Sequence, residues 1–245
     1  MYEQIQTAVP RRYRYMARAA WCYTMSPLFI GNRVECPVCG KTSRRWISLG
    51  FDQGLCPRCL SEPRHRMLIL YMRDELSIAT KQLRILHFAA EYCFIRCFRH
   101  MSNLSHILAD LDPPRGGVKM DITDIPLESE SVDLVICSHV LEHVQEDAKA
   151  MSELRRVLRP GGTALVMCPV EYERQSTYED PSIVTPEARR EAFHQNDHVR
   201  VYGADFDDRL RAAGFQVDPN RYGLSLGERA TRYGLKTKEI LYVCT

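Results

Sequence analysis

The sequence predicts an α/β fold built on a largely parallel sheet, and three observations support this prediction. Apolar runs around Ile85, Ile107 and Leu134 have the length and composition of buried strands. The segments between them are long enough for the crossover connections that parallel strands require. Two Cys-x-x-Cys pairs precede this region and indicate a small metal-binding unit near the N-terminus. We therefore expect a doubly wound sheet with a small N-terminal ribbon.

Length and charge are consistent with this organisation. The chain has 245 residues, of which 45% are hydrophobic, enough for one α/β domain with a sizeable core and a small appendage. Residues 1–66 carry eleven basic and four acidic side chains, although the net charge of the whole chain is only +2. A basic segment of this kind can attract phosphates or acidic substrates, or can simply be a solvated surface.

The N-terminal sequence and the cysteines indicate the compartment. The first twenty residues lack an apolar core and carry Arg11, Arg12, Arg14 and Arg18, so they do not resemble a secretory signal. The sequence has no apolar run of about 18 residues, which predicts no membrane span. We expect a cytoplasmic protein whose ten cysteines are free or bound to metal.

Residues 1–31 are predicted to form a helical arm that mixes aromatic and basic side chains, among them Tyr13, Arg14 and Trp21. Such an arm can pack on the main domain, or it can contact nucleic acid.

Residues 32–63 are predicted to form a zinc ribbon. Cys36 and Cys39 are followed after sixteen residues by Cys56 and Cys59, a spacing that matches a four-thiolate zinc site. Four thiolates leave no open coordination position, so the zinc is expected to be structural. We expect the short strands of the ribbon between residues 43 and 51.

Residues 64–81 are predicted to form a helix that links the ribbon to the main domain. Arg64, His65 and Arg66 at its start could bind an anionic ligand, or could pair with nearby carboxylates.

The main domain, residues 82–245, alternates predicted strands and helices. Strands are expected at 83–88, 106–110, 118–121, 132–138 and 163–168, followed by an antiparallel edge near 215–218 and 239–244. Helices are expected near 91–102, 146–158 and 202–213, the second ending sharply at Arg159-Pro-Gly-Gly162. The polar segment of about 170–202 is predicted to be an insertion that covers the site.

Two segments of this domain resemble those of a known family. Val132-Asp-Leu-Val-Ile-Cys-Ser-His-Val-Leu-Glu-His143 and Leu154-Arg-Arg-Val-Leu-Arg-Pro-Gly-Gly162 are similar to motifs of class I S-adenosylmethionine-dependent methyltransferases of the type 11-like group. The resemblance implies a Rossmann-like, doubly wound, seven-stranded methyltransferase sheet. The ribbon, the Leu-His-Phe-Ala-Ala-Glu turn and Asn196-Asp-His-Val-Arg200 resemble a bacterial subgroup with mostly unassigned acceptors.

The resemblance also implies which residues hold the cofactor. Asp110, 23 positions after His87, corresponds to the acid that binds the ribose hydroxyls, and Leu111 follows it. Asp121 corresponds to the acid near the adenine amino group, with Ile122 against the ring. Ser138 and His139 are expected to line the methyl-donor side, whereas Glu142 and His143 lie one turn further and could be structural.

The first turn departs from the family pattern, because His87-Phe88-Ala89-Ala-Glu91 replaces the usual glycine-rich sequence. Ala89 is small enough for close approach, but is not expected to take the positive φ angles that glycine offers. We expect Glu91 to pair with the methionyl ammonium group. His87 could contact the methionyl carboxylate or a backbone carbonyl, and the turn could also have lost the cofactor.

A general base is needed only if the acceptor must lose a proton. The candidates are His139, His194 and His198, and Asp197 beside His198 could orient it. We expect methylation of a small-molecule acceptor, a sugar or another secondary metabolite, at oxygen or nitrogen. The oligomeric state is not predicted.

Three alternatives remain open at this stage. The basic ribbon could bind RNA for methylation, although the acidic catalytic half argues against it. The altered methionyl pocket could direct attack at the aminocarboxypropyl group, which releases methylthioadenosine. The protein could also bind the cofactor as a non-catalytic scaffold.

Overall fold

A computed structural model describes residues 11–49, 52–114 and 116–245, in two compact units that are each built from separate chain segments. The first unit contains residues up to Leu83, Ala90–Val118 and Arg221–Ile240. The second contains Arg84–Ala89, Lys119–Asn220 and Leu241–Thr245. The sequence-based domain boundaries after residues 31, 63 and 81 stay a prediction.

The first unit begins with α1, Arg11–Met25, which a short 3-10 turn at Ser26–Phe29 follows. The first ten residues of the predicted arm lie outside the described residues, as do the side chains of Arg11, Arg12, Tyr13 and Arg14. Two antiparallel hairpins then form the ribbon, made of β1 (Val34–Cys36), β2 (Lys41–Ser43), β3 (Ile47–Leu49) and β4 (Asp52–Leu55). These strands confirm short strands in the ribbon, and they begin earlier than predicted.

The rest of the first unit is largely helical. Its elements are α2 (Pro63–Asp74), α3 (Tyr92–Phe98), β6 (Leu104–Asp110), the first residue of β7 (Val118–Lys119), α7 (Tyr222–Ser225) and α8 (Glu228–Arg232). Cys22, Phe29, Ile47, Leu55 and Tyr92 share a buried apolar cluster, so the ribbon forms a small core together with the N-terminal helical segment and the start of α3.

The second unit contains five strands of the main sheet. They are β5 (Leu83–Phe88), β8 (Val132–Ser138), β9 (Leu158–Met167), β12 (Val217–Asn220) and β13 (Leu241–Cys244). β5, β8 and β9 are parallel neighbours, whereas β13 and β12 add an antiparallel edge, as predicted. β8 reads Val-Asp-Leu-Val-Ile-Cys-Ser and is almost completely buried, as expected for a parallel strand covered on both faces.

The strand order of the complete sheet is β12-β13-β9-β8-β5-β6-β7. This order confirms the prediction of an α/β fold with a seven-stranded sheet.

The remaining elements of the second unit are α4 (Asp147–Val157), α6 (Phe206–Ala212) and the predicted insertion. Within the insertion lie α5 (Pro186–Phe193) and a small pair of strands, β10 (Tyr178–Glu179) and β11 (Arg200–Val201). α5 begins as its sequence dictates, because the Thr185 hydroxyl accepts a hydrogen bond from Ala188 N at 3.2 Å and Pro186 occupies the first helical turn.

The helix predicted at 146–158 ends at Val157, close to the predicted stop, but the strand predicted at 163–168 begins earlier, since Arg159-Pro-Gly-Gly162 already belongs to β9. The register of β8 against β9 shifts between Val132, which pairs with Leu158, and Leu134, which pairs with Thr163. The residues of β9 between these two partners form an irregular segment of the strand. Gly161 supplies the left-handed angle, φ +76°, that this irregularity needs.

No helix in the described part of the chain is long and apolar enough to cross a membrane.

Candidate functional site

Four cysteines of the ribbon come together as predicted. Cys36 and Cys39 flank one tight turn and Cys56 and Cys59 flank another, and the four sulfurs lie within 4.8 Å of one another. Cys36 Sγ is 3.6 Å from Cys59 Sγ, and Cys39 Sγ is 3.9 Å from Cys56 Sγ. In a tetrahedral site with Zn–S distances of about 2.3 Å, the sulfurs are separated by about 3.8 Å. The cluster therefore fits a four-thiolate zinc ion.

The basic residues at the start of α2 are structural. His65 Nδ1 accepts a hydrogen bond from Glu62 N at 3.0 Å, and Arg64 pairs with Glu62. Arg66 is fully buried, and its guanidinium stacks 4.0 Å from the centre of the Trp46 ring. The same guanidinium donates hydrogen bonds to the carbonyls of Ser61, Tyr233 and Gly234. Intramolecular pairing, the alternative to ligand binding, is thus observed.

Within the second unit, the carboxyl ends of the parallel strands β5 and β8 lie side by side, since Phe88 pairs with Cys137. The next residue, Ala89, has φ +50°, so the expectation that alanine would not take a positive φ angle is wrong. His139, just beyond β8, also has a positive φ, +55°, and its N–H donates to Met167 O at 2.8 Å. Two backbone turns at this edge are held in the conformation that glycine usually supplies.

Side chains at this edge differ in accessibility. His87 is completely buried inside β5 and Phe88 is 3% exposed. Ser138 is also buried, and its hydroxyl has no hydrogen-bond partner among the described residues. A buried hydroxyl without a partner is costly, and a bound ligand could satisfy it.

The predicted cofactor-binding acids each have a local partner. In the first unit, Glu91 Oε1 lies 2.9 Å from His65 Nε2, so this carboxylate is already paired within the protein. Asp110 accepts a hydrogen bond from Asp112 N at 2.9 Å, and Leu111 between them is exposed. In the second unit, Asp121 accepts hydrogen bonds from the amide and hydroxyl of Thr123, each at 2.8 Å, which lowers the pKa of its carboxyl.

Ile122 follows Asp121 in the second unit and is buried. Asp121 itself is exposed, and the assignment of both residues to the adenine stays a prediction.

The predicted histidine bases lie in three different environments. His139 is 30% exposed at its side chain, with Nδ1 3.4 Å from Glu142 Oε1. His198 is buried, and burial together with the neighbouring His143 lowers its pKa to about 4. His194 is exposed and pairs with Glu171 at 2.9 Å.

The Asp197 carboxylate lies 3.6 Å from His143 Nδ1, and its orientation of His198 stays a prediction. His143 in turn packs edge-on against His198, with ring centres 4.7 Å apart. The fold brings the two rings together although 55 positions separate them in the sequence, so the sequence carried no signal for this pair.

A buried ionic network also escaped the sequence analysis. Arg200 is buried, 3.6 Å from Asp147 Oδ2 and 2.8 Å from Glu179 Oε2. Arg209 and the Tyr202 hydroxyl each approach Asp147 to 2.8 Å. This network fixes the end of the insertion, including His198, to the start of α4.

A cavity of about 770 Å³ lies in the first unit, between α1, the ribbon and α3. Its polar lining is mostly basic and includes Lys41, Arg58, Arg96, Arg99 and His100. Tyr23 and Tyr92 add aromatic surface, so the cavity suits an anionic ligand.

Comparison with known proteins finds a family model and several proteins that are similar to part of the chain. Residues 89–166 match the family described as "Methyltransferase domain". The match covers about a third of the chain, so this segment is similar to a methyltransferase domain. A probable S-adenosylmethionine-dependent methyltransferase of Mycolicibacterium smegmatis is 33% identical over 117 residues, 46% of this chain and 41% of that protein.

Two further proteins are similar over part of their length. The demethylmenaquinone methyltransferase of Clavibacter sepedonicus is 32% identical over 133 residues, 49% of this chain and 54% of that protein. The structure of the Burkholderia thailandensis 1,6-didemethyltoxoflavin-N1-methyltransferase covers 71% of this chain and 73% of its own, with 14% identity and a TM-score of 0.48. The chain thus spans about half, or less, of the length of these curated relatives.

Proposed function

We propose that the protein is an S-adenosylmethionine-dependent methyltransferase that acts on a small-molecule acceptor at oxygen or nitrogen. The observation that carries this proposal is the match of residues 89–166 with the methyltransferase domain. Support for the acceptor class comes from the demethylmenaquinone methyltransferase, whose name specifies a small acceptor.

The residues at the carboxyl ends of β5 and β8 fit this cofactor. Ala89 takes the left-handed turn that a glycine would otherwise provide, and its methyl side chain adds little bulk where a ligand must approach the backbone. Ser138 offers a buried hydroxyl for hydrogen bonding. We assign Asp121 and Ile122 to the adenine. Asp110, which belongs to the first unit, is assigned to the ribose hydroxyls from the sequence alone, because a carboxylate accepts two hydrogen bonds from a diol.

When bound, the cofactor supplies a methyl group on a positively charged sulfur, which needs little covalent catalysis. The protein's part is to hold the acceptor in line with that methyl group and to exclude water. We propose His139 as the group that accepts the acceptor's proton, and its partial exposure and the Glu142 carboxylate 3.4 Å from its Nδ1 support this role. The carboxylate orients the ring and stabilises the imidazolium that forms.

We further propose that the four ribbon cysteines hold a structural zinc ion. The sulfur separations of 3.6 and 3.9 Å support this assignment. Four thiolates complete the coordination shell, so the ion stabilises the fold and takes no part in methyl transfer.

An RNA acceptor is the second candidate, and the basic cavity of the first unit favours it. Arg58, Arg96 and Arg99 supply charge for phosphates, and the tyrosines of the cavity supply surfaces for stacking bases. RNA binding would be strongly salt-dependent, whereas binding of a neutral small acceptor would not.

Calorimetric titration with S-adenosylmethionine and S-adenosylhomocysteine tests the proposal. We expect binding by the wild type and a loss of about tenfold or more in Asp110→Ala, the effect of removing a charged hydrogen-bond acceptor. Asp112→Ala, which changes the next acid of the same loop, is the control and should bind normally. Absence of cofactor binding by folded, zinc-loaded wild type would contradict the proposal.

Product analysis separates the two chemistries once an acceptor is found. Methyl transfer yields S-adenosylhomocysteine, whereas transfer of the aminocarboxypropyl group yields methylthioadenosine. Mass spectrometry of the reaction mixture distinguishes these products, and methylthioadenosine as the sole product would contradict methyl transfer.

A further inference from the structure

Glu142, His143 and His198 form a second cluster of metal-ligating side chains, separate from the four cysteines. One ligand atom from each residue lies within 4.8 Å of the other two. Glu142 and His143 belong to the 3-10 turn after β8, and His198 belongs to the end of the insertion. All three residues lie in the second unit.

The backbone holds these two segments together. Val199 N donates a hydrogen bond to Glu142 O at 2.9 Å, directly beside the three side chains. Arg200 adds hydrogen bonds to the carbonyls of Leu141 and Gln145, at 3.2 and 2.9 Å. The cluster therefore rests on a backbone that is fixed on both sides, which is what a preorganised ligand set requires.

The partners of the two rings leave one nitrogen of each for a ligand. His143 Nδ1 lies 3.2 Å from Asp197 O and 3.6 Å from the Asp197 carboxylate. Metal-bound histidines commonly donate their other ring N–H to a carbonyl or carboxylate in this way. His198 also has a hydrogen bond to the backbone of Phe193. Because these contacts occupy His143 Nδ1, we assign the ligand role to its Nε2.

The donor set specifies the class of ion. One carboxylate and two imidazoles are the donors of the two-histidine, one-carboxylate sites that bind divalent iron and related transition metals. The Glu142 carboxylate is only 1% exposed, so water competes little with a metal ion for its oxygens. Three protein ligands also leave coordination positions open, unlike the four-thiolate site.

We propose that Glu142, His143 and His198 bind a divalent transition-metal ion whose open positions take an oxygen of the acceptor. The role in acceptor binding rests on the proposed methyltransferase function, whereas metal binding itself does not. A metal-bound hydroxyl loses its proton more readily than a free one, and the ion would lie beside His139, which contacts the same carboxylate.

Manganese titration followed by electron paramagnetic resonance tests this site, because Mn²⁺ prefers oxygen and nitrogen donors and does not displace zinc from thiolates. The protein is first shown to carry its structural zinc. We expect one Mn²⁺ per chain in the wild type and a loss of affinity of about tenfold or more in Glu142→Gln and His198→Ala. Asp197→Asn should weaken binding by less than tenfold, since it removes the carboxylate charge beside His143 but leaves the Asp197 backbone carbonyl in place.

His194→Ala is the matched control, because His194 lies in the same insertion but is exposed and pairs with Glu171. It should bind Mn²⁺ as the wild type does. Circular dichroism and zinc content must be unchanged in every variant that loses Mn²⁺, so that unfolding is excluded. No Mn²⁺ or Co²⁺ binding by folded wild type, or equal loss in His194→Ala, would overturn the metal site.

Cofactor binding is measured on the same samples and keeps the two proposals apart. Mn²⁺ binding without S-adenosylmethionine binding would contradict the methyltransferase function and leave the metal site intact. S-adenosylmethionine binding without Mn²⁺ binding would contradict the metal site alone.

Discussion

Ala89 occupies a left-handed backbone conformation at the carboxyl end of β5, with φ +50°. An L-residue pays about 1 kcal/mol or more for this conformation, and glycine does not. We expect Ala89→Gly to raise the free energy of unfolding by about 0.5 kcal/mol, because relief of strain exceeds the added entropy of the unfolded chain. Urea unfolding measures this change. Ala90→Gly, at a neighbour without a positive φ, should instead be destabilising.

Glu239 gives a pH dependence that can be measured. Burial raises the pKa of its carboxyl, and its Oε2 has no hydrogen-bond partner among the described residues. The pKa of Glu239 is higher in the folded than in the unfolded protein. The contribution of this carboxyl to the free energy of unfolding is therefore fully present below its unfolded-state pKa, and it is lost as the pH rises through its folded-state pKa. Glu239→Gln should therefore raise the melting temperature at about pH 8 and change it little near pH 4, the ordinary range of a glutamate pKa.

Glu228→Gln controls for the loss of a negative charge from the same unit. Its melting temperature should follow that of the wild type at both pH values. An equal effect of Glu239→Gln on the melting temperature at the two pH values would show that burial does not disfavour the ionised form of the Glu239 carboxyl.

Individual site residues were predictable where the signal was local. Cys36 and Cys39 form one tight turn, so their spacing alone indicated the metal site. The pairing of His143 with His198 depends on where the insertion folds, and no local pattern encodes that. Ala89 shows a third case, in which tertiary structure imposes a backbone angle that alanine does not itself favour.

The bounds of the strands agreed with the sequence-based prediction where the strand is a buried apolar run. β8 has the predicted bounds because its apolar run is bordered by polar residues, and β5 likewise has the predicted bounds 83–88. β9 begins at Leu158, five residues before the predicted start at 163. The irregular pairing with β8 allows Pro160, Gly161 and Gly162 to belong to the strand. The short helices α7 and α8 were not predicted, since four or five residues carry no helical periodicity.

The connection between the insertion and α4 depends on Arg200. Its buried guanidinium faces Asp147 and Glu179, and removing one partner of a buried ion pair costs about 3 kcal/mol or more. We expect Arg200→Met to lower the free energy of unfolding by about this amount in urea. Arg211→Ala, which breaks only exposed pairs with Asp207 and Asp208, should have no measurable effect. Equal stability of the two variants would show that the network is not structural.

The first unit as a whole is assembled from chain segments that are distant in sequence. Arg66, close to the ribbon, donates to the carbonyls of Tyr233 and Gly234, and Arg232 lies 3.0 Å from Glu35 of β1. Loss of zinc from the ribbon should therefore loosen residues 221–240 as well, because these contacts depend on the ribbon backbone. This expectation follows from the fold and could not be read from the sequence.

Cys39→Ser tests this coupling. We expect the loss of about one zinc per chain, a lower melting temperature and faster amide hydrogen exchange in both the ribbon and residues 221–240, since binding energy of the metal is folding energy. Cys97→Ser is the matched control, because Cys97 is a partly buried cysteine outside the cluster, and it should retain zinc. Faster exchange confined to the ribbon would show that the ion stabilises only its own loops, and that Arg66 and Arg232 hold the C-terminal segment without it.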